Sequence, residues 1–168
     1  MLTRQAVILA RGLGSRMRTN AGNESNPGEQ GLAAAQRIAA AQGAKGMMPF
    51  ARPFLDYSLS TLADAGIREA VLVIGPEHQQ IRDYFAATAA GRRVAIRFAV
   101  QEHPRGTADA LVAAAGAVGA GSFLVLNSDN LYPVQAISHL VALGGNGLVA
   151  FEADALVANG GLEAERVA

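Results

Sequence analysis

The stretch Gly12-Leu13-Gly14-Ser15-Arg16 follows directly on the apolar run "QAVILA" (5–10). Glycines let a backbone approach a ligand without side-chain obstruction, and successive N–H groups in such a turn form a concave anion nest. Arg16, just past the turn, would set a guanidinium on phosphate oxygens and stabilise charge developing there. Three ligand classes compete for a loop of this kind. A nucleoside triphosphate loop of the Gly-x-x-x-x-Gly-Lys-Ser/Thr type is absent from the chain. A dinucleotide fingerprint needs a third glycine where Met17 stands, and an acidic residue about 20 positions on, where the chain is polar and then Ala-rich. A polyphosphate wrapped by Gly12 to Ser15 and met by Arg16 is the third. Taken alone, such a string is more often a tight turn with solvated arginines.

Three other stretches carry residues of chemical interest. Lys45 lies four positions before Pro49, ahead of the apolar stretch "FARPFLDYSL" (50–59). Gln101 and Pro104 precede Gly106-Thr107-Ala108, where a helix is expected to start, and Asp129-Asn130 sits just past the run "FLVLN" (123–127). Each has a plain alternative: a helix-end cation for Lys45, a polar residue after a strand for Gln101, a turn-forming acid for Asp129. Asp109 suits a helix N-terminus, with a ribose contact as the lesser option. His78, His103 and His139 do not fall at metal-ligand spacing and read as helix-surface or loop residues.

These residues need a frame, and the hydrophobic pattern supplies one. Short apolar runs recur at 5–10, 69–75, 93–100, 122–128 and 146–152. Helix-like stretches separate them at 52–66, 76–91, 106–119 and 133–145, the second opening with Pro76 at an N-terminal helix position and the first stopping at Gly66. Alternation of this kind predicts βαβ units and an α/β fold: a mostly parallel sheet, covered on both faces, in three Rossmann-like layers. Residues 19–30 read as a polar loop, either a surface connection or a flap over a site, and 31–46 as an Ala-rich helix.

Bulk composition narrows the function classes. The 168 residues favour one domain of ordinary size. Lys plus Arg and Asp plus Glu are 14 each, so no net basic field points to nucleic acid. Phosphate binding would have to come from locally placed cations. With no cysteine, disulfides and thiolate metal sites are excluded. The first ten residues hold too short an apolar run for a signal core or a membrane span, and a cytoplasmic location with no membrane partner is expected.

Together the four motifs resemble those of the sugar-1-phosphate nucleotidylyltransferases, the pyrophosphorylases that make activated NDP-sugars. Leu9 to Met17 matches the family's Leu-Ala-x-Gly-x-Gly-Thr/Ser-Arg-Met/Leu, and Lys45 to Pro49 its Lys-Pro-Met/Leu-x-Pro, with Gly46 for the first proline. Gln101 to Ala108 matches Gln-x-x-Pro-x-Gly-Thr-Ala, and Asp129-Asn130 a strand-end Asp often followed by Asn. The resemblance implies a nucleotide site formed by Leu9, Ala10, Gly12, Gly14, Ser15, Gln101, Gly106 and Thr107. Within it Arg16 would act on the triphosphate, Lys45 would neutralise phosphate charge, and Gln101 would read a pyrimidine edge. Asp129 would hold Mg²⁺, a hard cation that prefers carboxylate and phosphate oxygens. The implied reaction moves a nucleotidyl group from UTP or dTTP to a sugar 1-phosphate and releases pyrophosphate. CTP- or GTP-dependent transfer to another phosphorylated acceptor, and a non-catalytic nucleotide-binding module, are the alternatives.

Three departures from the family pattern stand out. Arg11 replaces the usual Ala or Gly, and would either tighten triphosphate binding or point into solvent. The segment between Arg18 and Lys45 is longer than usual. The family continues past this length into sugar-binding loops and a second acidic metal ligand near a Glu-Lys-Pro element. A C-terminally incomplete nucleotide-binding domain, weakly active or inactive alone and prone to self-association, is therefore expected over 1–168.

Overall fold

A computed structural model describes residues 3–12, 45–88 and 93–160. Among them, strands β1 (Gln5–Leu9), β2 (Glu69–Ile74), β3 (Ala95–Val100) and β4 (Phe123–Asn127) form one sheet in the order β3-β2-β1-β4. Every neighbouring pair is parallel. Parallel strands need long crossovers, and helices α1 (Phe54–Asp64), α2 (Gln79–Ala87) and α3 (Thr107–Ala114) occupy these connections. Helices α4 (Val134–Ala142) and α5 (Ala153–Gly160) follow β4, and a 3₁₀ turn (Lys45–Met47) precedes α1.

Alternate residues of β1 and β2 face opposite sides, and both sides are apolar. Ala6, Ile8, Ala70, Leu72 and Ile74 join Leu55, Leu59 and Leu62 of α1, Ile81 and Phe85 of α2, and Ile137 and Val141 of α4 in the larger core. Val7, Val71, Val73 and Ala99 pack on the other side against Ala110 and Ala114 of α3. Strands buried on both faces read as continuous hydrophobic runs, which is why the period-2 signal is missing from the sequence. Each fully buried Leu, Ile or Val contributes roughly 1.5–3 kcal/mol, and ten large side chains are buried to that degree. The α/β expectation holds.

The first crossover helix ends where the sequence predicts. Gly66 adopts φ 93°, its N–H bonding the Ala63 carbonyl while the Ile67 N–H bonds that of Leu62. This paired closure satisfies two carbonyls left open at the helix end and favours glycine at the left-handed position.

Three expectations need correction. No strand forms over 146–152: that segment is irregular, Leu148 is 82% exposed, and it leads into α5. Its apolar residues lie along α4 instead. Nor does α2 begin at Pro76. Gly75 to His78 makes a turn, closed by the His78 N–H on the Gly75 carbonyl (3.1 Å), and the helix starts at Gln79. Cover on the α3 side does not extend to β4 either, where Phe123 and Val125 are 40% and 45% exposed.

Candidate nucleotide site

The register brings the C-terminal ends of the strands level. Leu9 aligns with Val73 on one side and with Asn127 on the other. The sequence order turns round between β1 and β4, and open parallel sheets bind ligands in the crevice beyond such a point. A cavity of about 380 Å³ lies there, lined by Leu9, Arg11 and Gly12 at the end of β1, Val73 of β2, Gln101, Pro104, Gly106, Thr107 and Ala110 after β3, and Asn127, Ser128 and Asp129 at the end of β4.

Six of the expected site residues line this cavity: Leu9, Gly12, Gln101, Gly106, Thr107 and Asp129. Ala10 does not. Its side chain is buried in the larger core and its N–H bonds the Val73 carbonyl at 2.8 Å. Gly14, Ser15 and Arg16 fall outside the described residues, as do the 19–30 loop and most of the Ala-rich stretch after it. Lys45 opens the 3₁₀ turn. Next to it, Gly46 presses on the neighbouring elements: a Cβ there would come within 2.7 Å of Leu55 Cγ and 3.3 Å of Ser128 Cβ. The replacement of the family's proline thus lets the turn lie against the exit of β4, beside Asp129.

Gln101 is buried and bonded through nearly every polar group it has. Its N–H donates to the Ile74 carbonyl (2.9 Å), and its Nε2 donates to the Gly106 carbonyl (3.1 Å) and to Asp109 Oδ2 (2.8 Å). Two acceptors around Nε2 fix the amide orientation, because the flipped group would set oxygen against oxygen. The side-chain oxygen alone is left to receive a donor from the cavity. Gly106 holds φ 99° and ψ −175° ahead of α3, a region that is essentially glycine-only. Asp109 accordingly serves as Gln101's anchor from the first turn of α3.

Arg11 was missed as a structural member of the site, since both sequence readings left it facing ligand or solvent. Its side chain is only 8% exposed, with Nε 3.4 Å from Glu77 Oε1 and Nη1 donating to the Gln101 carbonyl. The Glu77 carboxylate lies over Gly75, where a Cβ would collide with its oxygens. Partial burial acts to raise the Glu77 pKa. That is outweighed by a hydrogen bond from its own backbone, by the electrostatic influence of Arg11 and of the adjacent His78 ring, and by the Arg11 hydrogen bond, so it lies below the usual carboxylate range. His78, expected at a helix surface or in a loop, lies in the loop before α2 and is buried there, its Nδ1 accepting from the Gly75 N–H (3.2 Å). No sequence signal marks either residue, because both roles depend on a turn that only the folded sheet brings near β1.

Among the described residues no group of three or more His, Asp or Glu side chains forms a metal cage. Asp129 stands as a single carboxylate at the cavity rim.

The parallel α/β sheet, with a crevice at the point where the strand order reverses, defines a Rossmann-like fold. The nucleotidyl transferase family model matches residues 40–153, and the chain belongs to that family. It is 27% identical over 132 residues to D-glycero-alpha-D-manno-heptose 1-phosphate guanylyltransferase of Aneurinibacillus thermoaerophilus, covering 78% of this chain and 48% of that protein. Glucose-1-phosphate thymidylyltransferase of Mycobacterium tuberculosis is 33% identical over 89 residues, 52% of this chain and 31% of the relative. The structure of UDP-glucose pyrophosphorylase complexed with UDP-glucose superposes with a TM-score of 0.58 at 17% identity, over 85% of this chain and 53% of the other, and shares the fold. The chain thus spans about half the length, or less, of the proteins it matches.

Proposed function

We propose that this chain forms the nucleotide side of a sugar-1-phosphate nucleotidyltransferase, with UTP or dTTP as donor. The carrying observation is Gln101: with Nε2 committed to Gly106 and Asp109, its oxygen presents an acceptor to the imide N–H of uracil or thymine. The sugar phosphate oxygen attacks the α-phosphorus in line, the bond from that phosphorus to the bridging oxygen breaks, and pyrophosphate departs. Catalysis of this kind is mostly positioning and charge neutralisation. Arg16 and Lys45 supply the cationic groups. Mg²⁺ usually binds one or two carboxylates plus substrate phosphates, and the single carboxylate of Asp129 at the rim fits that mode. The ion would supply charge neutralisation on the triphosphate.

Guanylyl transfer is the second reading. Guanine also offers an N–H to an acceptor, and the relative quoted above that spans 78% of this chain is a guanylyltransferase.

Thermal melts with UTP, dTTP, CTP, GTP and NADH, with and without Mg²⁺, test the site. A nucleotide at 100 times its Kd stabilises by about 2.7 kcal/mol, or roughly 5–11 °C for a chain of this size. The expected result is a rise with UTP or dTTP and none with NADH. Stabilisation by NADH alone would sink the reading, and a preference for GTP selects the guanylyl alternative. Pyrophosphate release on adding glucose 1-phosphate then tests transfer itself.

A further inference from the structure

We infer that Arg11 is a positioning residue for Gln101, a brace that fixes the base-reading amide relative to the start of the glycine loop. The inference rests on the nucleotide reading of the site. Strand order places β2 between β1 and β3, so β1 and β3 lie about 10 Å apart. Arg11, leaving β1, crosses the end of β2 to reach the Gln101 carbonyl at the end of β3. On the way its guanidinium meets Glu77, from the turn that follows β2. One side chain therefore laces the exits of three strands together.

Two features argue against a phosphate ligand. The guanidinium is already met by a carboxylate, and its side chain is almost entirely covered. A cation meant for a triphosphate would give up that pairing on binding. Burying a guanidinium is costly unless it is paired and hydrogen-bonded, and the Gly75 turn provides that pairing. The glycine is what allows the Glu77 carboxylate to fold back over the turn. Without Arg11, the Gln101 carbonyl loses a charged donor, while the other three Gln101 contacts remain. The amide would keep its place in the fold but lose its fixed spacing from Gly12, the residue that follows Arg11 in the chain.

The test separates base recognition from phosphate binding. Affinities of UTP, dTTP, CTP, GTP and inorganic tripolyphosphate are measured by calorimetry for wild type, Arg11→Ala and Glu77→Gln. For Arg11→Ala the expected result is about a tenfold loss for the preferred nucleotide, as for a lost hydrogen bond to a charged group. Preference among the four bases narrows, and tripolyphosphate affinity stays within about twofold. An equal loss for tripolyphosphate would make Arg11 a phosphate ligand and overturn the brace. Unchanged affinity and unchanged preference would overturn it as well. Should Arg11→Ala not fold, Glu77→Gln carries the test, with the same pattern at roughly two- to threefold. If the wild type binds no nucleotide, the reading of the site has failed. The brace is then read without ligand, from the Gln101 side-chain amide resonances in an ¹⁵N correlation spectrum. These shift in Arg11→Ala if it holds and stay fixed if it does not.

Discussion

At the scale of single residues, the site depends on one backbone conformation that only glycine adopts freely. Gly106 combines positive φ with an extended ψ, and its carbonyl both holds Gln101 and begins the hydrogen bonding of α3 through the Ala110 N–H (3.2 Å). Space is not the constraint, since a Cβ there would meet nothing within 4 Å. Backbone strain is. Gly106→Ala should therefore lower stability by about 1–3 kcal/mol, seen as a lower urea midpoint at unchanged slope, together with weaker nucleotide binding. A loss under about 0.5 kcal/mol would mean that the turn relaxes and Gln101 is held by Asp109 alone. The glycines were legible in sequence because their spacing is a local property. Arg11 was not, because its partners lie 66 and 90 positions away. An arginine beside a phosphate loop looks like a ligand until the turn carrying Glu77 is placed over it.

At the scale of elements, four strands and four helices formed within the stretches that hydrophobic runs marked, although α2 starts at Gln79 rather than at the Pro76 boundary. The error at 146–152 is one of context. "LVAF" has the composition of a buried strand, and β4 at the end of the sheet is followed by a helix that could serve as a crossover, yet the segment stays irregular with Leu148 exposed. Composition records apolarity and not whether the backbone finds a pairing partner. The turn at Lys45–Met47 gives the sharper test of how elements meet. Gly46 is the contact point at which this turn bears on Leu55 of α1 and on Ser128 after β4. Leu55 is fully buried and has little room to yield. Gly46→Ala should cost about 1–3 kcal/mol by overpacking. Adding Leu55→Val should recover part of that loss, so a double-mutant cycle in chemical denaturation would show coupling well above the 0.3–0.5 kcal/mol typical of independent sites. Additive losses would mean that the turn swings away from α1.

At the scale of the whole molecule, stability is concentrated in the centre of the sheet. β1 and β2 are buried on both faces and paired on both edges, whereas α5 is largely exposed. Amides of Val7, Ile8, Val71 and Leu72 should exchange with solvent only through global unfolding, and those of α5 at least about a hundredfold faster. Comparable protection in α5 would show that it is docked more firmly than its exposure implies. None of the described helices is long and apolar enough to cross a membrane. The central position of β1 also carries a cost in time. Gln5 pairs with Glu69 on one side and with Phe123 on the other, so the strand emerges early from the ribosome while its second neighbour follows 118 residues later. At synthesis rates of about 5–20 residues per second, one flank of β1 waits roughly 6–24 s for β4. During that interval the nascent chain presents an unpaired apolar strand, and the β4 segment is where a pause in translation would most readily become aggregation.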